Sequence, residues 1–145
     1  MDTVAFNRVD RRSLLGAMEA QFREALAMVR TGMAVRDPRL VGEAASLSAA
    51  CNQRILPKPV LSEVCREGRE VGAVGVCVAH SGTVVGLLLE AGRDDLGQIR
   101  DRMVRRLPGL QRTWLTRLIS GGARLVCHIP QDRDPRWSQL MGATR

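Results

Sequence analysis

The chain contains no tyrosine, and its aromatic complement is two tryptophans and two phenylalanines. With 3% aromatics there is little on which to stack bases, which weighs against nucleic-acid binding despite a formal charge of +7. Lysine is nearly absent as well: Lys58 stands alone, and arginines spread along the chain carry the positive charge. Only Arg100, Arg102, Arg105 and Arg106 form a denser set. A solvated, arginine-biased surface accounts for this pattern better than a nucleic-acid footprint does. No apolar run approaches the roughly 18 to 20 residues that span a bilayer. The start, Met1-Asp2-Thr3-Val4, lacks the basic-then-apolar order of a secretion signal, so a cytoplasmic protein is expected. Nor is there a C-x-x-C pair. Cys51, Cys65, Cys77 and Cys127 are dispersed, the first three among apolar neighbours, and buried reduced thiols are expected rather than a zinc site or disulfides. Internal repeats and low-complexity segments are also lacking.

What is present is a 145-residue chain with 45% hydrophobic and 26% charged residues, the balance of a soluble globular domain with its own core. Its centre of organisation is Gly72 to Leu89. Two runs of small and β-branched apolar residues flank the polar insert Ala79-His80-Ser81-Gly82-Thr83, which reads as two buried strands joined by a tight turn. The insert brings an imidazole, two hydroxyls and a glycine together between strands. Its backbone N–H groups suit either an ordinary hairpin turn or an anion-binding concavity, and pattern alone leaves both open.

Around this hairpin the periodicities predict further elements. Val4 and Phe6 alternate as in a strand. From Ser13 to about Thr31, Leu14, Met18, Phe22 and Leu26 recur at helical spacing, with Gly32 as the expected C-terminal stop. Asp37-Pro38 is an N-cap followed by proline at the first helical position, opening a helix to about Ile55 with Leu40, Ala44, Leu47 and Cys51 inward. Ser48 and Asn52 share a face beside that stripe, with Gln53 adjacent; such polar pairs serve either local hydrogen bonding or ligand contact. Leu56-Pro57-Lys58-Pro59 breaks the helix, and Pro59 opens a shorter one ending by Gly72. Asp94 and Asp95 stand at the start of a fourth helix with Leu96, Ile99, Met103 and Leu107 inward. Thr113 to Ile119 and Leu125 to Cys127 read as strands, and residues 131–145 as a frayed polar tail. Setting aside two helices of the first connection leaves βαββαβ. The expected fold class is therefore α+β, a ferredoxin-like antiparallel sheet covered by helices on one face.

Three segments together, Asp2 to Arg8, Ser48 to Pro59 and Gly72 to Gly86, resemble the C-terminal half of the GHMP-superfamily small-molecule kinases, and within it the L-threonine kinases of cobalamin biosynthesis. The most specific parts are the Asn-Gln-x-x-Leu-Pro-Lys-Pro segment from Asn52 and the Ala-His-Ser-Gly-Thr turn from Ala79, which takes the place of the family's glycine-rich third motif. The resemblance implies a GHMP-type C-terminal domain over residues 1–130. It also implies ATP and Mg2+, and transfer of the γ-phosphate to a small-molecule hydroxyl such as that of L-threonine. His80, Ser81, Gly82 and Thr83 then fall near the phosphates or the reacting hydroxyl, and Asn52, Gln53 and Lys58 on the substrate side. His80 has two readings, hydrogen-bond donor or brace of the turn.

The family's nucleotide loop, a Pro-x-x-x-Gly-x-x-Ser-Ser-like segment, has no match in this chain, and neither a Walker loop nor a protein-kinase glycine loop replaces it. The expectation is a substrate-side half, inactive alone and paired with a separately encoded ATP-binding half. A split gene, a mis-called start or a deliberately shortened chain would each produce it. The alternative is a non-enzymatic small-molecule-binding or dimerising domain of the same fold. Either way a homo-oligomer is expected, since a missing domain leaves apolar surface uncovered.

Overall fold

The computed structural model describes residues 12–79 and 83–118. The chain falls into two compact units, Met1–Thr113 and Trp114–Arg145. In the first, helices α1 (Arg12–Gly16), α2 (Glu19–Val35), α3 (Pro38–Asn52) and α4 (Leu61–Glu70) precede strands β1 (Gly75–Val78) and β2 (Val85–Leu88), and α5 (Leu96–Arg106) follows them. In the second, residues 114–118 carry no regular structure.

The expected first helix is two. The backbone leaves helical geometry at Met18 (φ −112°, ψ 1°), whose side chain is fully buried. Helix α2 then runs through Gly32, the expected stop, and ends at Arg36 in the left-handed region (φ 57°). Gly32 serves packing instead of termination. A Cβ there would meet Val41 Cγ2 at 2.9 Å and the Asp37 carbonyl at 3.1 Å, so the glycine lets the start of α3 fold back closely against α2. The α3 start matches its sequence signal: Asp37 Oδ1 accepts from the backbone N–H of Arg39 (2.9 Å) and Leu40 (3.3 Å), with Pro38 at the first helical position.

β1 and β2 form the expected antiparallel hairpin, with Gly75 opposite Leu88 at its base and Val78 opposite Val85 near its turn. Helix α3 docks on β1 by direct backbone approach at Gly42 and Gly75. One helical turn on, Ser46 Oγ accepts from the Val76 N–H (2.9 Å) and donates to the Gly42 carbonyl (2.9 Å). A strand N–H that β2 does not take is thus satisfied by a helix hydroxyl. Ala49, Leu61, Val64, Val76, Ile99, Met103 and Leu107 unite α3, α4, β1 and α5 in one core cluster.

The architecture is therefore α+β, helices around a two-stranded antiparallel sheet among the described residues. The strand expected at the start, the strand through Cys127 and the domain limit at 130 lie outside those residues. The strand expected from Thr113 is absent through residue 118. Its apolar members Trp114, Leu115 and Leu118 do not alternate as a half-buried strand requires.

Candidate functional site

Helix α3 and β1 run in the same direction: Gly42 meets the start of β1, and Ser46 meets Val76. From Ser46 to Asn52 a helix advances about 9 Å, and from Val76 to Ala79 a strand advances about 10 Å. The C-terminal end of α3 and the C-terminal end of β1 therefore point toward the same end of the unit.

At that end the chain is held by a side-chain clamp. Gln53, the C-cap of α3, accepts at Oε1 from the Lys58 N–H (2.6 Å) and donates from Nε2 to the Lys58 carbonyl (3.3 Å). The Asn52 carbonyl accepts from the N–H groups of Ile55 (3.0 Å) and Leu56 (2.8 Å), closing the loop from the other side. The Lys58 carbonyl takes a further N–H from Leu61 (3.0 Å) at the start of α4. Gln53 thus joins two helix ends through one amide. Lys58 is buried and Asn52 half-buried, whereas Ser48 is exposed. Of the turn, Ala79 donates its N–H to the Val84 carbonyl (3.0 Å), which closes the hairpin, and Thr83 is exposed. His80, Ser81 and Gly82 lie outside the described residues.

Sequence reasoning missed a second polar feature, Glu67. This α4 glutamate is buried beside Val64 and the core cluster. Its Oε2 accepts from Arg102 Nε of α5 (2.8 Å), and its Oε1 lies 3.3 Å from Arg66 Nη2. Hydrogen bonding from Arg102 holds the Glu67 carboxyl below its ordinary pKa, outweighing the opposing effect of desolvation. Likewise Arg93 grips Asp95 with Nε (2.8 Å) and Nη2 (2.5 Å) and lowers its pKa. Asp95 stands at the start of α5, where its negative charge was expected, and its side chain makes no capping bond but is engaged by Arg93. The available signal for Glu67 was its place on the inward stripe of α4, three residues after Val64, where a carboxylate requires a partner.

The family model described as GHMP kinases C terminal matches residues 19–109, which include the Gln53–Lys58 clamp and the hairpin turn. The chain belongs to the GHMP kinase family. It is 33% identical over 127 residues to an L-threonine kinase of Salmonella typhimurium, covering 85% of this chain and 42% of that protein. It is 35% identical over 127 residues to an L-threonine kinase of Citrobacter freundii, covering 85% of this chain and 43% of that one. The chain thus spans less than half the length of these curated relatives. No solved structure matches it significantly.

Among the described residues no three His, Cys, Asp or Glu side chains converge as metal ligands do. The described part of the chain therefore offers no built magnesium site. No helix among the described residues is long and apolar enough to cross a membrane.

Proposed function

We propose that the chain is the substrate-side part of a GHMP-type kinase that transfers the ATP γ-phosphate to the side-chain hydroxyl of L-threonine, giving O-phospho-L-threonine for cobalamin synthesis. Its supporting observation is the 33% identity with an L-threonine kinase over 85% of the chain. In this reading the domain completes a ferredoxin-like sheet and works with an ATP-binding half that carries the phosphate loop and the magnesium.

The reaction makes a bond from the threonine oxygen to the γ-phosphorus while the bond to the β,γ-bridging oxygen breaks, ADP leaves and the hydroxyl proton is released to solvent. Its barrier falls chiefly through positioning and charge stabilisation. The turn at His80, Ser81, Gly82 and Thr83 supplies backbone and hydroxyl donors beside the transferred group. Asn52 lines the substrate side. Gln53 acts at one remove, by fixing the loop that carries Lys58.

Exposed Leu26, Met33 and Val35 on α2 supply apolar surface for association with the ATP-binding half or with a second copy. A purely structural, dimerising role would also use that surface, and a turn variant separates the two. In the assembled pair, Ser81→Ala lowers turnover on the order of a hundredfold, the cost of losing one donor to the transferred group, while the melting temperature of the chain stays unchanged. An unchanged rate with a large fall in melting temperature would make the turn structural.

A further inference from the structure

An open pocket of about 450 Å3 lies between the end of α4, the approach to α5 and α5 itself, at the base of the hairpin. Its wall carries Arg93, Arg102, Arg105 and Arg106 against Glu70 and Asp95. The hairpin base, where Gly75 pairs with Leu88, is about 10 Å along the strands from the turn end. The pocket is thus separate from the candidate kinase site.

The four guanidiniums differ in what they have left to offer. Arg93 is spent on Asp95 and on the Gly72 carbonyl (3.3 Å). Arg102 gives only its Nε to the buried Glu67, so both terminal nitrogens keep their N–H groups while the carboxylate behind fixes the plane of the fork. Arg105 and Arg106 have no hydrogen-bond or ion-pair partner among the described residues. They follow Arg102 at i+3 and i+4, so three like charges share one face of α5 and repel one another. Complementing the negative C-terminal end of α5 explains a basic last turn. It does not explain a third guanidinium braced by a buried carboxylate and facing the same concavity.

We propose that this pocket binds a small phosphate-bearing anion, the Arg102 fork and the Arg105 and Arg106 side chains taking the phosphate oxygens. A phosphate group presents acceptor oxygens that guanidinium forks match in pairs, and its near-double charge relieves the repulsion among the three arginines. The wall bears two more positive than negative groups, a balance that suits one phosphate ester or pyrophosphate group better than a long polyanion. Glu70 opposes the anion and sets how tightly it is held. The site does not depend on the kinase reading, since none of its residues belongs to the turn or to the Asn52–Lys58 loop.

The test is calorimetric titration of the full chain with inorganic pyrophosphate, ADP and O-phospho-L-threonine at about 0.15 M salt, where long-range surface attraction is screened. Saturable binding at one site is expected. Arg105→Gln and Arg106→Gln should each weaken it at least about tenfold, Glu70→Gln should tighten it, and Arg30→Gln on α2 should leave it unchanged. Melting temperatures of the variants check that the fold is intact. Equal affinity for the three probes assigns the site to the phosphate alone, and a preference for ADP or for O-phospho-L-threonine names the source of the group. Absence of saturable binding by all three probes overturns the proposal. So does an Arg30→Gln effect as large as that of Arg105→Gln, because it would mean diffuse charge attraction.

Discussion

Gly42 and Gly75 stand where α3 meets β1, and neither has room for a side chain. A Cβ on Gly75 would fall on the Gly42 carbonyl and Cα, and a Cβ on Gly42 would fall on the Val74 carbonyl, so α3 and β1 touch backbone to backbone. Neither obstacle is a flexible side chain that can turn aside. Gly75→Ala and Gly42→Ala should therefore each destabilise the domain by about 3 kcal/mol or more through overpacking. Gly97→Ala, on α5 with nothing within 4 Å of its Cβ, should be neutral or stabilising by up to about 1 kcal/mol. Urea unfolding of the three variants checks the contrast, and equal effects would contradict the close approach.

Ser46 depends on that same contact. Its hydroxyl is the partner of the Val76 N–H, so Ser46→Ala leaves a strand donor unsatisfied and should cost about 1 to 3 kcal/mol. Ser48→Ala, at an exposed position one half-turn on, should cost well under about 1 kcal/mol. The same unfolding curves provide both values.

Gln53 spans the loop between α3 and α4 with two hydrogen bonds to one residue. Gln53→Ala removes both and should cost about 1 to 3 kcal/mol. Gln53→Glu keeps the acceptor for the Lys58 N–H but opposes the Lys58 carbonyl with a second oxygen, so it should fall between. Hydrogen exchange at the Lys58 amide gives a local reading: it should accelerate in Gln53→Ala and stay protected in the parent.

The Glu67 and Asp95 carboxyls have folded pKa values below their unfolded ones, through Arg102 and Arg93 respectively. The unfolded chain therefore binds protons more readily, and these pairs contribute stability that is complete above the ordinary carboxylate pKa of about 4. That contribution is lost as pH falls through the lowered folded values. Melting temperature should hold steady from neutral pH to about pH 5 and then drop, and Arg102→Met should lower it at neutral pH and flatten part of the acid-side slope. An unaltered slope would place the acid sensitivity elsewhere.

Much of the architecture was legible because its signals are local. The Asp37-Pro38 start, the α5 stripe of Ile99, Met103 and Leu107, and the hairpin between Gly75 and Leu88 each follow from spacing within one element. What was not legible depends on partners far along the chain. Gly32 carries the same local sign as a helix terminator, and only the proximity of Val41 makes it a packing residue. The Glu67–Arg102 pair joins residues 35 apart, which no periodicity reveals. Asn52, Gln53 and Lys58 were grouped by resemblance to a family. The fold adds a physical reason for grouping Gln53 with Lys58, the clamp.

The central proposal is a substrate-side kinase half, and phosphoryl transfer itself tests it most directly. The full chain is incubated with ATP, magnesium and L-threonine, alone and together with the N-terminal portion of the Salmonella typhimurium L-threonine kinase that this chain does not cover, and O-phospho-L-threonine is measured. No product is expected from either polypeptide alone, and steady product from the assembled pair. Product from this chain alone, or none from a pair that demonstrably assembles, would contradict the account.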